Sequence, residues 1–190
     1  MNIVGLLLAA GSASRFGSDK LRHALPHGVA IAVQAARHLK AELPRVIAVI
    51  RTDAEARDFR AEGCETVVCA NAHEGMGASL ACAARAAGKA DAYVVALADM
   101  PFVRPSTIAA VRQALEQGAR LAAPYFRARR GHPVGIAGAF YQDLIALTGD
   151  EGARHVLAAN ERALVKIPVG DPGVIRDIDR PEDLTPPIRV

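Results

Sequence analysis

Continuous apolar runs, separated by stretches that can form helices, dominate the first half of the chain. The runs cover residues 3–9, 46–50, 66–69 and 93–98. A strand of a parallel sheet is covered by helices on both faces, so it reads as apolar along its whole length rather than alternating. The pattern therefore predicts four parallel strands, with the first run at the centre of the sheet.

The intervening stretches are rich in alanine and predict helices at residues 30–43, 54–62, 76–87 and 106–117. Pro105 stands where proline is favoured, in the first turn of the last of these helices. Strands at 118–125, 131–138 and 163–169 and a helix from Gly149 complete a less regular second half. Alternating strands and helices predict a three-layer α/β fold, a mostly parallel open sheet with helices on both faces.

Length and composition limit the classes of protein that fit. A chain of 190 residues, 51% of them hydrophobic, is long enough for one core. It contains no repeat, linker or low-complexity segment, so we expect a single domain over residues 1–190. A net charge of +3, 4% aromatic residues and no Trp do not indicate a nucleic-acid partner.

The cysteines and the first apolar run indicate the cellular compartment of the protein. Cys64, Cys69 and Cys82 lack the spacing of a disulfide framework or a zinc site. The first apolar run follows no basic segment and is too short to span a bilayer. We therefore expect a cytoplasmic protein with no membrane partner.

Residues 8–20, which read LAAGSASRFGSDK, form the first candidate site. They follow the first strand, at the sheet edge where open α/β proteins bind ligands. Small residues let backbone amides approach phosphate oxygens, and Arg15 and Lys20 can balance the charge of a triphosphate. The segment is neither a GxxxxGK[ST] loop nor a GxGxxG turn. The alternative is an ordinary strand-to-helix turn with a solvated Arg and Lys.

Carboxylates at strand ends form the second candidate site. Asp99 ends a buried strand and is the best candidate for a magnesium ligand; its alternative role is in a turn before Pro101 and Pro105. Asp177 and Asp179 lie two apart in an extended segment, so they share a face and either can reach the metal. The alternative for Asp179 is to cap a short final helix.

Two further regions carry candidate binding residues. Residues 74–80 (EGMGASL) open a helix whose first amides suit an anionic or polar ligand, with Gly75 and Ser79 as contacts and Met76 expected in the core. The segments RARRGHPV (127–134) and GDEGARH (149–155) are candidates for receiving an acceptor through His132, Pro133 and Arg154. Taken singly, His132 also fits an ordinary loop histidine and Arg154 a surface helix residue.

Six segments, in this order, resemble the molybdenum cofactor cytidylyltransferase family, which belongs to the Rossmann-like nucleotidyltransferases together with the molybdopterin guanylyltransferases. They read LAAGSASRFGSDK (8–20), GMGASL (75–80), ADMP (98–101), GHPV (131–134), GDEGAR (149–154) and DIDRPEDL (177–184). The resemblance spans nearly the whole chain and implies a Rossmann-like nucleotidyltransferase fold.

The resemblance also implies roles for individual residues. Arg15 and Lys20 would be catalytic and contact phosphates, and Asp99 and Asp179 would bind Mg²⁺, with Mn²⁺ as a substitute. The nucleotide would be bound by Leu8, Ala9, Ala10, Gly11, Ser12, Gly75, Ser79 and Ala98. The opening LAAG, where the guanylyltransferases have Leu-Ala-Gly-Gly, favours CTP over GTP. A molybdopterin-type phosphorylated acceptor and a molybdoenzyme that receives the product would be the partners.

One segment departs from the family pattern. Residues 21–31 read LRHALPHGVAI, where the family continues through a Leu-rich stretch into Gly-Lys-Pro-Leu. This leaves other acceptors open, among them a sugar phosphate or phospholactate. Two further alternatives are a transferase that uses GTP with molybdopterin and a non-catalytic pterin carrier. A dinucleotide-dependent oxidoreductase is disfavoured because the chain lacks GxGxxG after its first strand.

Overall fold

Eight strands form one mixed sheet in the computed structural model, which describes residues 1–11 and 20–185. The strands are β1 (Ile3–Leu8), β2 (Arg45–Ile50), β3 (Glu65–Val68), β4 (Ala92–Leu97), β5 (Leu121–Phe126), β6 (Arg129–Arg130), β7 (Val134–Ala137) and β8 (Leu164–Pro168). Their order is β3-β2-β1-β4-β7-β5-β6, and β8 also pairs with β5. Strands β1 to β4 are mutually parallel, whereas β7 runs antiparallel between β4 and β5.

Helices cover both faces of this sheet, which confirms the predicted α/β architecture. They are α1 (Ile31–Glu42), α2 (Ala56–Ala61), α3 (Met76–Ala87), α4 (Pro105–Glu116), α5 (Tyr141–Ile145) and α6 (Arg154–Ala159). The buried side chains of α1, α2 and α4 form one core cluster with the sheet. Those of α3, α5 and α6 form the other.

Strand β1 shows why the central strands are apolar throughout. Ile3 and Leu7 face the cluster of α1, while Leu6 faces that of α3, and all three are buried. Gly5 lets α1 pack closely, since a Cβ there would come within 3.1 Å of side-chain atoms of Leu39. Burial on both faces removes the polar positions that an exposed strand would show.

The second half of the chain differs from its predicted outline. The helix predicted from Gly149 begins only at Arg154, because Gly149 and Gly152 adopt φ angles of +61° and +54° and keep the preceding residues in a loop. Strand β6 and helix α5, both short, were not predicted. No helix in the described part of the chain has the length and apolar character that a membrane span requires.

The parallel pairing brings several loops to one edge of the sheet. The pairing of β1 with β4 continues past the strand ends, where the Ala98 amide donates to the Leu8 carbonyl at 3.1 Å. On the other side of β1, the Ala9 amide donates to the Val49 carbonyl at 3.0 Å. The segments that follow β1, β2 and β4 therefore start side by side, at the edge where the candidate residues cluster.

Candidate active site

Three carboxylates converge where β4 ends. Asp99, Asp177 and Asp179 each offer an oxygen, and these oxygens all lie within 4.8 Å of one another. The amide of the buried Ile178 donates to the Asp99 carbonyl at 2.9 Å, which fixes the C-terminal segment against the strand end. The predicted return of Asp177 and Asp179 to the edge that carries Asp99 is confirmed.

Lys20 joins this cluster from the other end of the sequence. Its Nζ donates to Asp99 Oδ2 at 3.0 Å and to Asp179 Oδ1 at 3.2 Å, and the residue is only 9% exposed. Burial lowers the pKa of Lys20, but the two carboxylates outweigh it and raise that pKa above its usual value. Burial raises the pKa of Asp177, with smaller contributions from the charges of Asp179 and Asp99. Proximity of like charges accounts for those contributions.

Asp99 lies in the turn that follows β4, as its alternative role requires, but its carboxylate caps no helix, and Asp179 does not cap the final helical turn. Helix α4 begins six residues after Asp99, and the amide of its N-terminal flanking residue Arg104 donates to Asp171. Near the C-terminus, the Asp183 carboxylate accepts the amides of Asp179 and Arg180 at 3.1 and 2.9 Å. Both candidate metal ligands therefore keep their carboxylates directed at Lys20.

A cavity of about 730 Å³ opens beside the carboxylates, at the ends of β1 and β4. Of the residues predicted to bind or process the nucleotide, it is lined by Leu8, Ala10, Gly11, Lys20, Gly75, Ser79 and Asp99. Ala9 and Ala98 are buried next to it, and their amides extend the strand pairing. Ser12 and Arg15 lie outside the described residues.

Sequence reasoning missed several residues of the cavity wall, namely Arg51, Cys69, Ala70, His73 and Asp150. Arg51 directly follows β2, and Cys69 directly follows β3. The rule that parallel strands present their carboxyl ends at one edge applies to them as much as to Asp99. Applied to every predicted strand, it would have found the positions after β2 and β3.

A family model described as the MobA-like NTP transferase domain matches residues 5–164, which is most of the chain. The chain belongs to this family. This MobA-like domain is thus a nucleotidyltransferase, as the resemblance of its motifs implied.

Individual relatives match over almost their full lengths. The purine catabolism protein PucB of Bacillus subtilis is 26% identical over 193 residues, covering 95% of this chain and 93% of that protein. The structure of Rv0371c from Mycobacterium tuberculosis is 25% identical with a TM-score of 0.79, covering 96% of this chain and 94% of that one. The manganese complex of Rv0371c is 21% identical with a TM-score of 0.73, covering 96% of each chain.

A molybdopterin-guanine dinucleotide biosynthesis protein A from Archaeoglobus fulgidus has the same fold. It is 22% identical with a TM-score of 0.66, and the match covers 95% of this chain and 94% of that one. The Rossmann-like nucleotidyltransferase architecture predicted from the sequence is therefore confirmed.

The first amides of α3 in this MobA-like domain are engaged by the protein itself. The amide of Met76 donates to Asp150 Oδ1 at 3.1 Å, and that of Gly77 to the Gly149 carbonyl at 2.8 Å. Gly75 and Gly77 allow this approach, since a Cβ at either would lie 2.5–2.6 Å from the loop backbone. An anionic group of the protein itself, the Asp150 carboxylate, thus occupies the first of these amides, and the nucleotide contacts of Gly75 and Ser79 stay predictions. The expected core position of Met76 is wrong, because the residue is 38% exposed.

Replacing Asp150 with Ala should lower the free energy of unfolding by about 1 kcal/mol, because the Met76 amide loses its acceptor at the helix N-terminus. The variant should also raise the KM for the nucleotide more than it lowers kcat, since the cavity wall loosens. Urea denaturation and steady-state kinetics measure both effects. Asp150→Asn retains an acceptor oxygen and should lose less, so equal losses in the two variants would contradict the capping role.

The predicted acceptor residues lie on different faces of the sheet. His132 and Pro133 directly precede β7 and line a small cavity with His38 and Met100 on the face of α1. Arg154 is exposed at the start of α6, which packs on the opposite face. The structure does not bring Arg154 together with the His132–Pro133 pair, and their acceptor role stays a prediction.

His132 should make the domain less stable in mild acid. Burial lowers its pKa to about 4, and Nδ1 has no hydrogen-bond partner among the described residues. The unfolded chain therefore takes up a proton at a higher pH than the folded one. As the pH falls from about 7 to about 5, this group should reduce the free energy of unfolding by about 1–2 kcal/mol. Urea titrations at both pH values should show that the free energy of unfolding depends less on pH in His132→Phe than in wild type. The same pH dependence in both proteins would contradict this role.

Proposed function

We propose that this MobA-like domain is a magnesium-dependent cytidylyltransferase that transfers CMP from CTP to a molybdopterin-type phosphorylated acceptor and releases pyrophosphate. The observation that carries the proposal is the cluster of Asp99, Asp177, Asp179 and Lys20 beside a cavity of about 730 Å³. Positioned charges of both signs at one end of the cavity suit the transfer of a nucleotidyl group between phosphates.

The donor set fits a hard divalent cation. Carboxylate oxygens are the ligands that Mg²⁺ prefers, and it takes few of them while keeping waters and substrate phosphates. Asp99 and Asp179 would hold the ion, with Asp177 close enough to contribute. The bound ion would supply charge neutralisation at the α-phosphate and at the acceptor phosphate. Mn²⁺ would serve as a substitute, in line with the manganese complex of the related Rv0371c.

In this proposal an oxygen of the acceptor phosphate attacks the α-phosphorus of CTP in line. The bond from the α-phosphorus to its bridging oxygen breaks, and the electron pair leaves with pyrophosphate. Lys20, at the cavity wall, stabilises the negative charge that grows on the leaving group. A phosphate monoester is already ionised near neutral pH, so the protein needs no general base.

The proposed nucleotide and acceptor are supported by sequence motifs. The opening LAAG favours CTP, and Leu8, Ala10 and Gly11 line the cavity. The molybdopterin-type acceptor rests on the resemblance, with His132, Pro133 and Arg154 as candidate contacts. The order of the six segments supports one domain over residues 1–190, and three free thiols suit a cytoplasmic protein that passes its product to a molybdoenzyme.

A non-catalytic pterin carrier is the rival from another class. A carrier needs a pocket for the pterin but gains nothing from three carboxylates held within 4.8 Å of one another. Such a cluster is costly because like charges repel, so its presence favours catalysis.

Pyrophosphate release tests the proposal. The domain would be supplied with each of the four ribonucleoside triphosphates and Mg²⁺, with and without molybdopterin. We expect release that requires both CTP and molybdopterin. Release with GTP would reassign the base, and release only when a sugar phosphate or phospholactate replaces molybdopterin would reassign the acceptor. Binding of molybdopterin without pyrophosphate release under any condition would favour the carrier.

A further inference from the structure

Lys20 is hydrogen-bonded to two of the three carboxylates that could bind a divalent cation. Its ammonium lies 3.0 Å from Asp99 Oδ2 and 3.2 Å from Asp179 Oδ1. A Mg²⁺ ion binds carboxylate oxygens at about 2.1 Å, so an ion on Asp99 Oδ2 would stand no more than about 5 Å from the present Nζ position. Two cations that close, in a partly buried site, repel each other strongly.

We propose that Lys20 is an internal counter-cation that exchanges with the metal, so that metal and triphosphate bind cooperatively. The inference rests on the proposed function and adds to it the sequence in which Lys20 changes its binding partners. Without metal, Lys20 neutralises part of the charge of Asp99, Asp177 and Asp179. When the metal binds, the ammonium leaves the two carboxylates and turns to the phosphates in the adjoining cavity.

The position of Lys20 permits this exchange. Lys20 lines the cavity itself, together with Gly11 and Asp99. A lysine ammonium on its four-carbon stem changes partners by bond rotation, without a shift of the backbone. After leaving Asp99 and Asp179, the ammonium can therefore reach a triphosphate bound in the cavity by side-chain rotation alone.

The exchange predicts positive coupling between two ligands. Metal that binds alone must displace the ammonium from two hydrogen-bonded carboxylates, which weakens its affinity. A triphosphate offers the displaced ammonium a new anionic partner, so it raises the affinity for metal, and the metal raises the affinity for triphosphate by the same factor. A variant without the charge should bind metal more tightly on its own and keep only the coupling that direct contact between metal and phosphate supplies.

Binding of Mn²⁺, followed by the loss of the free-ion signal in electron paramagnetic resonance, tests the inference. The proteins are wild type, Lys20→Met, Lys20→Arg and the exposed control Lys89→Met, each with and without a CTP analogue that has a methylene between the α- and β-phosphorus. Without nucleotide, Lys20→Met should bind Mn²⁺ about tenfold more tightly than wild type. Lys20→Arg, which keeps the charge, and Lys89→Met should stay within about twofold of wild type.

After subtraction of the Mn²⁺ that the analogue binds without protein, the analogue should tighten Mn²⁺ binding by wild type about tenfold more than it tightens binding by Lys20→Met. Adding Asp99→Asn to Lys20→Met should abolish the gain, which locates the ion at the cluster. Equal or weaker Mn²⁺ binding by Lys20→Met would overturn the exchange while leaving a metal-dependent transferase in place. A failure of every variant to bind Mn²⁺, with and without the analogue, would overturn the exchange and the metal-dependent mechanism together.

Discussion

Replacing Asp99 with Asn should reduce the transferase turnover by about a thousandfold, the largest effect on activity that we expect from a single substitution. Asp99 supplies one of the three carboxylates of the cluster, and its Oδ2 accepts a hydrogen bond from Lys20. Asn keeps the size of the side chain but removes the negative charge that a hard cation requires. Steady-state pyrophosphate release with CTP and molybdopterin measures the loss.

The fold of Asp99→Asn should remain intact, since Asp99 caps no helix and its backbone carbonyl still accepts the Ile178 amide. Asp143→Asn, on the exposed surface of α5, is the matched control and should keep full activity. Turnover of Asp99→Asn within about tenfold of wild type would mean that the cluster is not the catalytic metal site.

Replacing Asp171 with Ala should cause the largest loss of stability, about 3 kcal/mol. The buried carboxylate accepts hydrogen bonds from the Thr107 hydroxyl at 2.7 Å, the Arg104 amide at 2.9 Å and the Gly173 amide at 3.0 Å. Ala leaves these donors unpaired in the interior. Because Asp171 ties α4 to the segment that leads to Asp177 and Asp179, the variant should also bind Mn²⁺ more weakly.

Urea denaturation measures the stability of Asp171→Ala, with Asp143→Ala as the exposed control. The control should change the free energy of unfolding by no more than about 0.5 kcal/mol. Addition of saturating Mn²⁺ and CTP analogue should recover part of the loss, because ligands that bind only the folded state stabilise it. A loss below about 1 kcal/mol for Asp171→Ala would show that water replaces the carboxylate without difficulty.

The central strands β1 and β4 are predictable because helices on both faces of the sheet leave them almost wholly apolar. Residues 3–9 and 93–98 are apolar throughout, and β1 and β4 lie within them at the centre of the sheet. β7 is harder to predict, since its four residues carry no sign that they run antiparallel between β4 and β5. Strand direction there depends on the chain path, which local patterns do not encode.

The candidate site was predictable where strand ends carry polar residues, as at Asp99, and where an extended segment shows two carboxylates on one face, as at Asp177 and Asp179. Contacts between segments that are far apart in the sequence could not be predicted. Asp150 accepts the Met76 amide across 74 positions of the chain, and the Lys20–Asp179 pair spans 159. Side-chain type and spacing identify candidates, whereas their partners depend on packing that only the structure provides.

The measurement that most directly tests the central claim follows the phosphorus atoms of CTP. The domain would be incubated with Mg²⁺ and molybdopterin, once with CTP labelled at the α-phosphate and once with CTP labelled at the γ-phosphate. We predict that the α label appears in a molybdopterin cytosine dinucleotide and the γ label in pyrophosphate. Transfer of the γ label to the acceptor, or release of CMP without a dinucleotide product, would contradict the account.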